Sequence, residues 1–343
     1  MSEALRVAAA AEADRQAWDA YVGSQLDAAG YHEWAWRHVF EQAFGHRTEY
    51  LMALRGPDVV GVLPLVEIRS RLFGNSLTSL PFVNFGGVLA RSEDAALALI
   101  NRAGELAVAH RCRHVELRHI GRHFSELPCK QHKVTMRLQL SAGLWERIDR
   151  KARNQVRKAQ KSNLTVQRGR SELLPDFYRV FSRNMRDLGT PVYSRALFDE
   201  VIRAFPDRAR IIVVRLDQQP VAAGLTFRTR NMVEIPWASS IKDFNALCPN
   251  HLLYWTALES AVEEGVTLFD FGRSTPGEGT FKFKEQWGAE PLLLSWEYWI
   301  HPGDHLPDTS PKNPKYRLMI ETWKLLPLWA ANSVGPHVVR SIP

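Results

Sequence analysis

The sequence predicts an α/β (α+β) protein made of two tandem copies of one unit, each a mixed sheet flanked by helices. Three observations predict it. Tyr50–Arg55, the turn Gly56-Pro57-Asp58 and Val59–Ile68 read as a β-hairpin. The same signature returns at Arg210–Leu216, Asp217–Pro220 and Val221–Thr229, so that Leu54-Arg55 and Val214-Arg215 hold equivalent places in a duplication. Each hairpin leads into a helix and then a strand: 93–109 before His114–Ile120, and Pro249–Glu264 before Thr267–Phe271. An antiparallel meander ahead of the helix argues against a Rossmann domain, which begins with parallel βαβ.

Taken in order, residues 12–44 read as helical, with Trp18, Tyr21, Trp34, Trp36 and Phe40 along them. Apolar residues dominate Ser79–Leu89, with Gly86-Gly87 inside. Ser92 and Glu93-Asp94 then open an amphipathic helix, because a cap and early acids satisfy and complement a helix start. Val134–Leu140 alternates as a strand does. Leu144–Lys161 has helical periodicity, and further helices fill about 172–187 and 195–204. Asn231 turns into a third strand through Ala238, and Leu292–Trp299 closes the set. The implied division is an N-terminal domain over 1–143, a basic inter-domain helix over 144–165, a C-terminal domain over 166–300, and a linker and tail over 301–343. The tail carries Trp323, Leu325, Leu326, Leu328 and Trp329. It reads as a terminal helix docked on the body, with an amphipathic membrane-surface segment as the alternative.

A chain of 343 residues, 45% hydrophobic and 24% charged, has the composition of a soluble globular protein. Three cysteines give no disulfide framework and suit a cytoplasmic setting. The N-terminus lacks the apolar core of a signal peptide, and no run is long enough to span a bilayer. The net charge of +7 is local. Residues 146–170 hold nine Lys/Arg against Glu146 and Asp149, an excess of seven that equals that of the whole chain. On the helix in this segment, Ile148, Ala152, Val156 and Ala159 share one face, with Arg150, Arg153, Arg157 and Lys161 opposite. Like charges on one stripe repel unless an anion binds, so Arg153, Arg157 and Lys158 are candidate contacts for phosphates; a solvated face is the plain alternative. The histidines and cysteines of 110–132 lack metal-ligand spacing, and no metal is expected.

The chemistry concentrates in Phe269–Pro291. An apolar strand ends in Asp270, then Gly272-Arg273-Ser274, a glycine-rich turn, and Phe283-Lys284-Glu285-Gln286-Trp287-Gly288. Polar and cationic groups at a strand end, beside permissive backbone, suit an anionic substrate and an oxyanion formed during acyl transfer. Lys284 and Arg273 are the candidate charge stabilisers. Asp270 either orients Arg273, acts as a base, or is a strand-end carboxylate bonded to a loop. Ser274, Trp237, Asn250 and Tyr254 are candidates to line the same cleft, core packing being the alternative for the two aromatics. In the first half, Asn84-Phe85-Gly86-Gly87 offers either part of an acceptor groove or a tight turn.

Two segments together resemble a known family. Arg150–Lys161 and Phe269–Ser274 with Phe283–Gly288 are similar to the FemA/FemB/FemX-like transferases, in particular the subgroup associated with exosortase/PEP-CTERM exopolysaccharide loci. The resemblance covers about residues 1–300. It implies tandem GNAT-like domains and transfer of an acyl or aminoacyl group to an amine or hydroxyl of a cell-envelope precursor, peptidoglycan or exopolysaccharide. It also carries Lys284 over as a substrate or transition-state contact. The implied partners are an anionic nucleotide- or lipid-linked glycan precursor and tRNA; the residues of the tail, not the resemblance, are what offer peripheral contact at the inner membrane face. No permanently bound cofactor is implied; the co-substrate is aminoacyl-tRNA or acyl-CoA. The chain lacks both the coiled-coil arm of the staphylococcal members and the glycine-rich pyrophosphate loop of GNAT domains. Asn245–Asn250 enters the helix at Pro249 instead, so acetyl-CoA is the less expected donor. A non-catalytic carbohydrate- or lipid-binding accessory protein is the alternative function.

Overall fold

The computed structural model describes residues 3–70, 74–307 and 314–342. They form two compact units. One holds the described residues of 1–132, 293–308 and 340–343; the other holds those of 133–292 and 309–339.

In the first unit, β1 (Leu5–Ala9) precedes α1 (Arg15–Ser24) and α2 (Ala35–Phe44). Next come β2 (Arg47–Arg55), β3 (Asp58–Ser70), β4 (Gly74–Thr78), the short β5 (Leu89–Ala90), α3 (Glu93–Ala109) and β6 (His114–Ile120). The expected hairpin is β2–β3, turned at Gly56 with φ +59°. The helical reading of 12–44 is interrupted between α1 and α2. There Trp18, Trp34 and Tyr50 pack ring against ring, and Asp19 accepts the Trp34 N–H at 2.8 Å. The buried face of α3 (Ala95, Leu99, Ala103, Ala107) lies on Leu51, Leu63, Leu65 and Leu117. β4 runs parallel to β6 through three residue pairs only, Ser76–His114 to Thr78–Glu116, with α3 as the crossover.

The second unit draws on β7 (Cys129–Gln139), α4 (Leu144–Arg147), α5 (Arg150–Gln160) and β8 (Leu164–Gly169). It continues with α6 (Leu174–Leu188), α7 (Arg195–Ala204), β9 (Ala209–Leu216), β10 (Gln219–Thr229) and β11 (Met232–Ser240). Then follow α8 (Pro249–Glu263), β12 (Leu268–Ser274) and α9 (Gly279–Glu285), with α10 (Pro314–Lys324) and α11 (Leu328–Val339) at the end; β13 (Glu290–Ile300), between α9 and α10 in the chain, lies from residue 293 onward in the first unit. The single helix expected over 144–161 is two. Asp149 caps α5 by accepting the Lys151 N–H at 2.5 Å, and an Asp cap fixes a start rather than a mid-helix residue. The apolar face read from the sequence holds: Ala152, Val156 and Ala159 are buried, as is Ile148 just before the helix.

The duplication is visible as parallel strand orders, β1-β2-β3-β4-β6 and β8-β9-β10-β11-β12. The sixth strand of each is exchanged between the halves of the sequence. β13 pairs antiparallel with β6, and β7 pairs antiparallel with β12. The compact units therefore do not follow the linear division at 143. Part of the expected linker, 308–313, lies outside the described residues. No helix among the described residues is long and apolar enough to cross a membrane.

Candidate active site

The site grows from the way β11 and β12 part. They pair in parallel at Met232–Leu268, Val233–Phe269 and Glu234–Asp270, and the register between them goes no further. Beyond that point β12 stays on β7 through a register shift between Asp270 and Arg273. Gly272 makes the shift with φ +74°, a conformation in which a Cβ is strained. Asp270 locks the bulge. It is fully buried and accepts from Thr135 Oγ1 at 2.5 Å, the Gly272 N–H at 2.8 Å and Arg137 Nε at 2.9 Å. These partners lie on β7 and in the bulge of β12 itself.

The bulge turns two carbonyls toward α9, and Lys284 is bonded to both. Its Nζ donates to the Gly272 and Arg273 carbonyls, each at 2.9 Å. Lys284 stands at the end of the short helix α9, and the lysine is only 6% exposed. Burial pushes its pKa down to about 8, helped by the Arg273 charge and opposed by Asp270 and Glu234. Lys133 joins these cations. Its Nζ donates to Thr275 Oγ1 at 2.6 Å, and burial and then Arg273 lower its pKa. Lys133, Glu234, Thr135 and Arg137 were not singled out from the sequence. The only signal was the alternation of Lys133-Val-Thr135-Met-Arg137, which puts these three side chains on one face of β7.

An aromatic wall stands next to the lysine. Tyr254 stacks on Phe271 at 5.5 Å and meets Phe283 at 5.1 Å, while Phe283 meets His251 at 5.0 Å and Trp287 at 6.1 Å. Burial, and then Lys151, drive the His251 pKa down to about 4, so its ring is neutral near pH 7. Within this unit Ser274 Oγ, Trp287 Nε1, His251 Nε2 and Arg153 Nε are buried polar atoms without a hydrogen-bond partner among the described residues. Buried polar groups are normally paired, so an unpaired set suits a bound molecule. His251 and Trp287 were missed because each reads as core or as part of a motif.

The other sequence candidates are distributed. Asn250 is the second residue of α8, beside His251. The α8 start is closed by Cys248, at φ +61°, whose thiol donates to Gln155 of α5 at 2.5 Å. The Asp149 N–H donates to the Gln286 carbonyl at 3.2 Å, which joins the start of α5 to the Lys284 segment. Arg153 is half-buried, while Arg157 and Lys158 are exposed; the Arg157 guanidinium lies 5.4 Å from the Trp145 ring centre. Trp237 takes the core reading, edge-on to Phe198 at 5.3 Å. Asn84 belongs to the other compact unit and is buried. His32 and His119 hold the Gly87-Val88 backbone next to it. No group of three His, Cys, Asp or Glu side chains is placed to hold a metal ion among the described residues.

Comparison with known proteins agrees with this architecture. Residues 147–285 match the acetyltransferase (GNAT) domain family. A crystal structure of FemX is similar with a TM-score of 0.63 and 16% identity, covering 92% of this chain and 100% of that one. A tandem GNAT protein from the clavulanic acid biosynthesis pathway is similar with a TM-score of 0.55 and 13% identity, covering 88% and 100%. The C-terminal domain of a putative lysylphosphatidylglycerol synthetase from Agrobacterium fabrum gives 0.55 and 14%, covering 83% and 91%. Comparison with curated proteins gave no significant match. The fold is that of tandem GNAT-like proteins, as the sequence predicted.

Proposed function

We propose that this chain is an acyltransferase of the FemX-like kind. It moves an acyl or aminoacyl group onto an amine or hydroxyl of an envelope or exopolysaccharide precursor. The observation that carries the reading is Lys284, a buried amine fixed by two carbonyls where β11 and β12 part. The GNAT match over 147–285, which contains Lys284 and Arg273, supports it.

In the proposed step the acceptor nitrogen or oxygen attacks the donor carbonyl carbon. The carbonyl π electrons move onto oxygen, then return as the ester or thioester bond breaks. The acceptor proton leaves with the departing group or to water. The Lys284 ammonium has three N–H groups, two of which are bonded to carbonyls. The third is the donor for the developing oxyanion, and Arg273 and Lys133 hold the anionic part of the substrate. A preorganised charge in a dry site needs no reorganisation when the oxyanion forms. The donor is an activated acyl or aminoacyl ester. The α8 start carries Cys248 and Pro249 where a glycine-rich loop would stand, which supports one other than acetyl-CoA, because side chains there hinder the close approach of a pyrophosphate to the backbone. The acceptor is a nucleotide- or lipid-linked glycan precursor, with the α5 cations as phosphate contacts.

Turnover of labelled aminoacyl-tRNA and of labelled acetyl-CoA, each with a UDP-linked amino sugar as acceptor, tests the reading. Wild type is expected to transfer from the aminoacyl donor. Tight binding of the sugar nucleotide with no transfer from either donor would favour the accessory binding protein instead.

A further inference from the structure

We propose that the α10–α11 pair is a docking face for an anionic membrane surface. The proposal is independent of the transfer reaction. It rests on three observations about one patch.

The pair is a fixed part of its unit, not a loose tail. Both helices pack on α6. A Cβ on Gly189 would come within 2.6 Å of Ile320, and one on Gly335 within 2.9 Å of the Val192 backbone, so helix and body meet at glycine distance. Docking leaves an outward set of apolar side chains. Leu318 is 71% exposed, Leu325 83% and Trp329 73%, with Met319 and Val334 about half exposed. Leu188, at the end of α6, is also exposed. Four of the twelve exposed large hydrophobics of the described residues therefore lie on these two helices, and a fifth, Leu325, lies in the turn between them. Single exposed apolar residues are ordinary; a concentration on one element is not.

The charge pattern selects the occupant. Leu325–Val339 contains no Asp, Glu, Lys or Arg. Around that stretch, residues 309–343 hold five Lys/Arg and one acid, Glu321, which is paired with Lys324 at 2.9 Å. Along the sequence, an uncharged apolar stretch flanked by cations matches acyl chains bordered by anionic headgroups. An exposed indole suits the same boundary, since it has an apolar body and a polar N–H. Helices of 11 and 12 residues are too short to span a bilayer, so the geometry is one of lying on the surface.

Flotation of the full chain with phosphatidylcholine vesicles, with and without phosphatidylglycerol, tests the proposal. Wild type is expected to float with the phosphatidylglycerol vesicles and to be released by salt. Leu325→Ser with Trp329→Ser is expected to weaken vesicle affinity about tenfold or more, given the apolar area removed. Both side chains are exposed, so an unchanged melting temperature is expected to accompany the loss. Failure of wild type to float with either vesicle overturns the proposal. So does flotation of the double variant equal to wild type. Concentration-dependent dimerisation that the double variant abolishes, without flotation, assigns the face to a second copy of the chain instead.

Discussion

At the scale of the residue, Lys284 concentrates the chemistry and the testable consequences. Its pKa falls from the ordinary 10.5 to about 8 in the folded state, chiefly through burial. The charged form is therefore disfavoured by folding, at a cost of about 3 kcal/mol near neutral pH. That penalty is fully present below about pH 8 and disappears as pH rises to 10.5, because there the unfolded chain binds the proton and the folded chain does not. Lys284→Met removes the penalty but leaves the Gly272 and Arg273 carbonyls without their donor, a loss of about 1–3 kcal/mol. The two effects nearly cancel at pH 7. Denaturant unfolding is expected to show wild type gaining on the variant between pH 8 and 10.5; a constant difference would refute the buried-amine description. If the ammonium is the working form, transfer falls as pH passes about 8 on the alkaline side. Lys284→Met should lower transfer about a hundredfold or more, the scale of losing one preorganised donor. Rate–pH profiles of both proteins check this. The sequence put forward Lys284, Arg273 and Asp270 as candidates by residue type and neighbourhood. It could not tell that Asp270 faces Arg137, because that contact joins residues 133 positions apart.

At the scale of the element, the β12 bulge is the device that aims the site. Strand alternation alone would place successive carbonyls on opposite sides of β12. The extra residue at Gly272 breaks the alternation, so that both the Gly272 and Arg273 carbonyls reach one amine. Gly272→Ala keeps every polar group but puts a Cβ at φ +74°. An expected loss of about 1–2 kcal/mol in stability follows from the left-handed conformation. A drop in kcat should exceed the change in KM, since the amine is misaimed while the substrate charges remain. Urea melts with steady-state kinetics decide the point, and an unaltered kcat would separate the bulge from catalysis. The α5 helix gives the converse lesson. Its buried and charged faces were legible because helical period alone fixes them, whereas the break at Ile148-Asp149 depended on the cap.

At the scale of the whole molecule, buried histidines make stability depend on acid. His32, His46 and His251 each have a pKa lowered from 6.5 to about 4, with burial the largest cause. For His32 both ring nitrogens are in use: Nδ1 accepts the Ala29 N–H and Nε2 donates to the Gly87 carbonyl, each at 3.0 Å. Protonation would destroy the acceptor. Below pH 6.5 the unfolded chain takes up protons that the folded chain refuses, so stability is expected to fall from pH 6.5 toward pH 4. Melting temperatures across that range, for wild type and His32→Gln, check it; the variant should show a shallower slope. Hydrophobic period and turn residues by themselves determined the two-fold repeat, most helices and the central strands, because these depend on neighbours a few positions away. The edge strands β1 and β8 and the short β4 were not legible. Their pattern is brief, and it is pairing with β2, β9 and β3 that holds them extended. The exchange of β7 and β13 between the halves was likewise decided only by tertiary structure. Nothing in a strand's own alternation states which edge it will join, and the gain from completing a sheet comes from the partner's unpaired backbone groups.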